Sequence, residues 1–327
     1  MDATILFTLF VIFVAYIFDF INGFHDAANS IATIVTTRVL TPKQAVLWAA
    51  FFNFISFLVF NLTVAKTMGS GLIDPNIVDT HFILAALIGA IFWNLVTWYY
   101  GLPSSSSHAL IGGLAGAAIA KGGFYSLQIS GFTKVLIGIF VSPALGLFIA
   151  WSITYVFSKF PHNKTTKNKL FRGFQLFSSA MLSLTHGSND GQKTMGIISI
   201  ILFSSAWIEG AFYVPFWVVI SCQAAISLGT LAGGWRIVRT MGYKITKLDP
   251  MKGSAAETGA AVSLFIATHL GIPVSTTHTV TGAITGVGLI HGMGGAHWHV
   301  IKRIFLSWLI TLPAAAIISA ALILSHI

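Results

Sequence analysis

Charge is what this chain has least of: 8% of its 327 residues are Asp, Glu, Lys or Arg, where soluble domains carry about 25%. That scarcity excludes a soluble globular protein, and 55% hydrophobic residues with a mean hydropathy of +0.84 supply the reason. Cysteine is nearly missing too. Cys222 alone, inside an apolar run, excludes a disulfide framework and a cysteine-based metal centre. Bases outnumber acids, eighteen to nine, but they gather in loops between apolar segments, at 159–172 and 236–252. Such clusters mark cytoplasmic loops rather than a nucleic-acid surface, so no nucleic-acid partner is expected. The opening MDATILFTLFVIFVAYIF has no Lys or Arg, unlike a secretory leader, and reads as a retained first helix.

What is there is apolar and long. Runs fall at 4–36, 43–67, 81–100, 104–120 and 133–158, then at 173–204, 212–234, 253–270, 272–290 and 301–325, most of them near the roughly 20 residues a bilayer helix needs. Membrane lipids are therefore the surrounding partner. The first run of each half has over 30 residues, roughly 45 Å of helix against a hydrocarbon thickness of about 30 Å, so each is expected to be broken or steeply tilted.

The two halves repeat. GLPSSSSHALIGGLAGAAI from Gly101 returns as GIPVSTTHTVTGAITGVGL from Gly271, matching Pro103, His108, Gly112 and Gly116 to Pro273, His278, Gly282 and Gly286. NGFHDAANSIAT from Asn22 returns more weakly as HGSNDGQKTMGI from His186, placing Asp26 against Asp190 and Asn29 against Lys193. Five runs per half, an odd number, make the second half enter from the opposite side, also if the 81–100 and 104–120 pair is a re-entrant hairpin. The expectation is an all-α polytopic membrane protein of two inverted-topology repeats of about five hydrophobic segments each, with broken helices or re-entrant hairpins at the midplane. The first repeat is 1–158, a basic cytoplasmic linker is 159–172, and the second repeat is 173–327. Counting back from the basic loops, with 159–172 and 236–252 inside, puts the N- and C-termini outside. Polar, Gly/Pro-interrupted segments at matching places in inverted repeats point to a secondary transporter with its site at the repeat interface.

The polar residues divide into two kinds. Ser104, Ser105, Ser106 and Ser107 are expected in the first turn of a helix after Pro103, as are Ser275, Thr276 and Thr277 after Pro273. Hydroxyls and free N–H groups at a helix N-terminus form an anion cradle; the plainer reading is that they cap or glue helices. His108 and His278 are read as neutral, satisfied core histidines. The second kind is ionisable: Asp19, Asp26, Asp190 and Glu257 lie in apolar runs with only Lys193 opposed to them. Asp26 and Asp190 rank first as repeat equivalents, while Asp19 and Glu257 are as readily structural. If all five groups are ionised and share one region, four acids against one lysine would repel an added anion, so its passage requires accompanying cations, which implies symport. Carboxylates beside Asn29, Asn189 and Gln192 suit Na⁺ or a divalent ion, and protonation would neutralise the site equally well. Lys193 could balance Asp190, contact the anion or snorkel to an interface; the first two are favoured. HGMGGAHWH, with His291, His297 and His299, has a metal-like composition but reads as a Gly-rich interfacial loop, so no metal site is assigned.

At GFHDAANS, GSNDGQKT, GLPSSSSH and GIPVSTTH, with the flanking WNLVTWYYGLP, the chain resembles the inorganic phosphate transporter (Pit) family over nearly its whole length. The resemblance implies phosphate contacts from Ser105, Ser106, Ser107, Ser275, Thr276 and Thr277, and cation-site roles for Asp26, Asn29 and Asp190. Here His25 and Lys193 replace signature asparagines, which weakens the case for two equivalent Na⁺ sites, and the central loop is short. INGFHDAAN and HGSNDGQKTMG are most similar to the bacterial low-affinity branch, described as moving neutral metal–phosphate complexes with protons. The expectation is a symporter in the bacterial cytoplasmic membrane importing inorganic phosphate, with no cofactor. Coupling is to H⁺ first and Na⁺ second, with a divalent metal carried alongside phosphate and a homodimer as open options. Ser104 to Ser107, Ser275, Thr276, Thr277 and Lys193 would bind the anion, and His25, Asp26, Asn29, Asn189, Asp190 and Gln192 the coupling ion. Sulfate or another tetrahedral oxyanion is the alternative substrate, and an anion channel the alternative mode. An enzyme is not expected, because Ser107 and His108 are adjacent on a helix and point apart.

Overall fold

A computed structural model describes residues 2–159 and 164–325. Its architecture is helical throughout: α1 (Ala3–Thr36), α2 (Pro42–Ile55), α3 (Thr63–Ser70), α4 (Thr80–Tyr99), α5 (Ser106–Gly122), α6 (Ile129–Ser158), α7 (Lys164–Ser204), α8 (Phe216–Ala232), α9 (Trp235–Arg239), α10 (Pro250–His269), α11 (Thr276–Gly288) and α12 (Trp298–Leu324). Helix starts are written in the chain. Thr41 and Gln44 close a capping box ahead of Pro42, Asp79 accepts from the Phe82 N–H at 2.8 Å, and Asp249 accepts from the Lys252 N–H at 2.9 Å ahead of Pro250. Among the described residues four helices, α1, α4, α6 and α12, are long and apolar enough to cross a membrane, and two bent helix pairs raise this to six if each is one span.

The two longest runs are not broken, contrary to one of the two expectations for them: α1 is continuous over 34 residues and α7 over 41. The breaks lie in the second run of each half instead. The segment Pro42–Leu58 turns by 82° into α3, and α8 turns by 60° into Trp235–Lys244. At the matched turns between α4 and α5 and between α10 and α11, Gly101 and Gly271 adopt φ of 63° and 67°, a region that glycine enters without a Cβ penalty. Of the linker, 160–163 lies outside the described residues.

Packing is reciprocal between the halves. α5 lies on α12 of the other half, where a Cβ on Gly116 would fall 2.0 Å from the Ala316 carbonyl oxygen. α11 lies on α6, where a Cβ on Gly286 would fall 2.2 Å from the Leu147 carbonyl oxygen. Only hydrogen at those positions lets the backbones approach so closely. This exchange brings the starts of α5 and α11 together: the His108 and His278 rings meet edge to face at 4.4 Å, and His278 stacks on Trp308 at 3.7 Å.

Two apolar cores flank the centre. One gathers Val11, Phe18, Phe82, Leu110 and Ile198, the other Ile31, Ile34, Leu182, Leu264 and Ile284. On α1 the first ends at Phe18 and the second begins at Ala28; on α7 they are separated by the stretch between Leu182 and Met195. The polar residues of both helices fall into that gap.

Candidate functional site

Spacing of three and four places Asp19, Asn22, Asp26, Asn29 and Thr33 on one face of α1, and all five are buried. That stripe faces α7, which runs antiparallel to it. Asp19 accepts from Thr194 at 2.8 Å, Asp26 and Asp190 share Thr276, and Thr33 donates to Glu257 at 2.6 Å, which Gln175 and Ser178 also bind. The condition that all four acids share one region is not met. Asp26 and Asp190 meet at the centre, while Asp19 and Glu257 occupy separate levels about 10 Å away along α1 in either direction.

At the centre, Thr276 Oγ1 lies 3.0 Å from Asp190 Oδ2 and 3.5 Å from Asp26 Oδ2, and Thr277 Oγ1 donates to Asp26 Oδ1 at 3.3 Å. Asn29 Nδ2 donates to both threonine hydroxyls, at 3.0 and 3.1 Å. Lys193 donates to Asp190, to Ser107 of the other half and, at 2.9 Å, to the Val274 carbonyl. With 1% of its surface exposed, Lys193 does not snorkel. Its ammonium is a fixed cation at the junction of both hairpins, and three acceptors compensate its burial.

Each carboxylate also has a histidine. His25 Nδ1 lies 2.7 Å from Asp26 Oδ1, and its Nε2 is 3.1 Å from Thr97 Oγ1. His186 Nε2 lies 3.2 Å from Asp190 Oδ2, with Nδ1 3.2 Å from Asn53 Oδ1. Sequence reasoning quoted His186 within its motif without assigning it a role. The signal was available: it precedes Asp190 by four residues, the spacing that puts two side chains on one helix face. Asp26, His186 and Asp190 offer ligand atoms within 4.8 Å of one another, a mixed oxygen and nitrogen donor set.

The hydroxyls are used unequally. α5 begins at Ser106, so Ser104 is not in its first turn; Ser104 donates to Thr97 at 2.8 Å and lies 3.3 Å from His25 Nε2. Ser105 and Ser275 are N-caps, accepting from the His108 and His278 N–H groups at 3.1 and 3.2 Å, which is the plainer of the two readings for those positions. Ser106, Ser107, Thr276 and Thr277 form the facing first turns. Ser106 Oγ is buried without a partner.

Of two further expected ion ligands, Gln192 is engaged elsewhere, while the Asn189 Oδ1 is buried without a partner among the described residues. Gln192 Oε1 accepts from the Val64 and Ala65 N–H groups at 3.0 and 3.2 Å and its Nε2 donates to the Asn61 carbonyl, so it caps α3 and holds the 82° bend. Asn189 Nδ2 donates to Thr268 at 3.0 Å. The His108 and His278 rings pack edge to face, and His278 also stacks on Trp308; among the described residues His108 Nε2 has no hydrogen-bond partner. His297 Nδ1 lies 2.9 Å from the Lys244 carbonyl; the His291 side chain lies outside the described residues. Ser107 Oγ faces Lys193 and the Val274 carbonyl rather than a histidine base, so the site lacks the pairing a serine nucleophile requires.

The chain is similar to known phosphate transporters. The phosphate transporter family profile matches residues 22–168 and 159–319. The chain is 58% identical over 324 residues to a probable low-affinity inorganic phosphate transporter of Rhizobium meliloti (strain 1021), covering 98% of this chain and 97% of that one. It is 44% identical over 325 residues to a protein of the same description in Bacillus subtilis (strain 168), with 98% and 97% covered. A solved structure described as the sodium-dependent phosphate transporter superposes with a TM-score of 0.89 at 25% identity, covering 98% of this chain and all of that one.

Proposed function

The chain belongs to the phosphate transporter family, a family of multi-pass membrane transporters rather than enzymes, and we propose that it imports inorganic phosphate across the bacterial cytoplasmic membrane by proton symport. The observation that carries the proton reading is the Lys193 ammonium bound to Asp190 at the position where the first half has Asn29. A fixed positive charge stands where a bound cation would otherwise neutralise the second-half carboxylate. In the first half, where Asn29 stands in place of a lysine, Asp26 is held by His25 and is the carboxylate left open to the coupling proton.

The anion is held where α5 and α11 begin. Ser106, Ser107, Thr276 and Thr277, the unpaired N–H groups of both first turns and Lys193 converge there, and the positive ends of two helix dipoles favour a phosphate between them. Thr276 and Thr277 now donate to Asp190 and Asp26. Protonation of Asp26 would release the Thr277 hydroxyl to the anion, while Thr276 stays on Asp190, and this would couple proton binding to phosphate binding. The antiparallel run of α1 against α7 and the exchange of α5 and α11 support reading 1–158 and 173–327 as inverted repeats that rock about this point. The gathering of Arg38 and Arg172, where the Arg172 guanidinium donates to the Arg38 carbonyl at 3.0 Å, supports a cytoplasmic face there and termini outside.

A second reading has phosphate travelling as a neutral metal complex, favoured by the Asp26, His186 and Asp190 donor set. The test is phosphate uptake by reconstituted protein with pH and Na⁺ gradients imposed separately. An inward proton gradient should drive accumulation in Na⁺-free buffer. Accumulation driven by Na⁺ alone and blind to pH would overturn proton coupling, and uptake requiring a co-transported divalent metal would select the second reading. Sulfate taken up in preference to phosphate would overturn the substrate.

A further inference from the structure

A cavity of about 130 Å³ opens beside the turn that leads into α5. Its inner wall is Gly101 to Pro103 with Ile304, and its rim carries Lys244, His299 and Arg303. At about 30 Å³ per water, the space holds a tetrahedral oxyanion. The rim cations are exposed, and among the described residues neither Lys244 nor Arg303 makes an ion pair. The cavity ends one residue short of the site: Ser104, next after Pro103, is buried and lies 3.3 Å from His25 Nε2, whose Nδ1 binds Asp26. The wall is held in place from both sides, by Thr240 Oγ1 on the Gly101 carbonyl and Trp308 Nε1 on the Pro103 carbonyl, each at 3.0 Å.

The repeat-equivalent turn is built differently. Thr67 Oγ1 closes on the Gly271 carbonyl at 2.8 Å, and a Cβ on Gly271 would sit 3.3 Å from Thr63. The cavity rimmed by Lys244, His299 and Arg303 lies at the Gly101 end of the pathway. That end is the one bearing Arg38, since Gly242, two residues before Lys244, packs against Ala32 and Thr36 at the C-terminal end of α1.

We propose that this cavity is the cytoplasmic vestibule of the carrier, in which Lys244, His299 and Arg303 hold an inorganic phosphate ion passing between the cytosol and the starts of α5 and α11. A cationic rim over an apolar wall concentrates a dianion, and the guanidinium of Arg303 matches two phosphate oxygens at once. Placed on the release side, the vestibule makes internal phosphate compete with release, so the carrier slows as the cell fills. His299 enters as part of the vestibule, which gives the HGMGGAHWH segment a role without a metal.

The proposal rests on the phosphate-symport reading and is tested by phosphate–phosphate exchange in right-side-out and inside-out membrane vesicles. The double variant Lys244→Gln with Arg303→Gln should raise half-saturating phosphate on the cytoplasmic face about tenfold and remove its salt dependence. The external face should stay unchanged, which also shows that the variant is folded. Lys244→Arg with Arg303→Lys should restore the cytoplasmic value. An unchanged cytoplasmic value, or equal changes on both faces, overturns the proposal. So does a wild-type cytoplasmic value that follows the anionic lipid content of reconstituted vesicles and loses that dependence in the variant, since a headgroup would then be the occupant. If the wild type exchanges sulfate and not phosphate, the substrate reading falls, while a one-sided effect on sulfate would still support the vestibule.

Discussion

Replacing Lys193 by Asn tests the centre most directly, because it restores the residue that the first half has at Asn29. Asparagine is two heavy atoms shorter than lysine. It gives up the contacts to Ser107 and the Val274 carbonyl and leaves Asp190 with Thr276 and His186 as its neighbours. Removing one member of a buried ion pair costs about 3–5 kcal/mol, mostly as the penalty of the charge left behind. Part of that returns if a proton or Na⁺ binds Asp190. A net loss of about 3 kcal/mol in binding the anion corresponds to roughly a hundredfold fall in uptake efficiency. The assay is uptake by reconstituted protein at fixed pH across a Na⁺ series, with thermal unfolding in detergent to separate folding from transport. Uptake should collapse at low Na⁺ and recover partly at high Na⁺, as the restored asparagine and the freed carboxylate form a cation site. Normal uptake with unaltered pH and Na⁺ dependence would refute the assignment of Lys193 as a fixed counter-charge.

Three further outcomes follow from the same geometry. Asp26→Asn should abolish accumulation while leaving the protein folded, and Asp190→Asn should do the same, since Lys193 then loses its carboxylate; near-normal accumulation by either would remove it from coupling. Thr276→Ala should raise the apparent KM for phosphate about tenfold, the equivalent of roughly 1–2 kcal/mol for one hydroxyl beside charge, whereas Ser105→Ala should mainly lower thermal stability by about 1 kcal/mol through loss of a helix cap; parallel effects of the two on KM would show that the hydroxyls are not divided as described. Gly116→Ala and Gly286→Ala should each destabilise by about 1–3 kcal/mol or more, read as a lower Tm in detergent, because the new methyl meets a carbonyl oxygen of a packed helix.

Much of the fold was legible because the signals are one-dimensional. Apolar runs gave ten helical segments, and the matched Gly–Pro turns gave the two hairpins. The helix starts were misplaced by two residues at Ser104, since a run of four serines does not say which one caps; only the Ser105 bond to the His108 N–H decides it. Asp26 and Asp190 were identified by their repeat positions and do meet. Gln192 could not be recognised as a cap, because its partners lie on α3, far away in the chain. Asp19 and Glu257 could not be assigned to the centre or to the scaffold, because a sequence carries no depth.

The exchange of α5 and α11 between halves bears on how the protein is made. α5 rests on α12, which is synthesised well after it, and α11 rests on α6 from the first half. Synthesis of the first half alone leaves α5 without its bed, its close-approach glycines facing no partner. The facing starts of α5 and α11 are thus brought together only once α12 has been made. Changes in α12 should be felt at the start of α5, and the two halves depend on each other in assembly although they read as two in sequence.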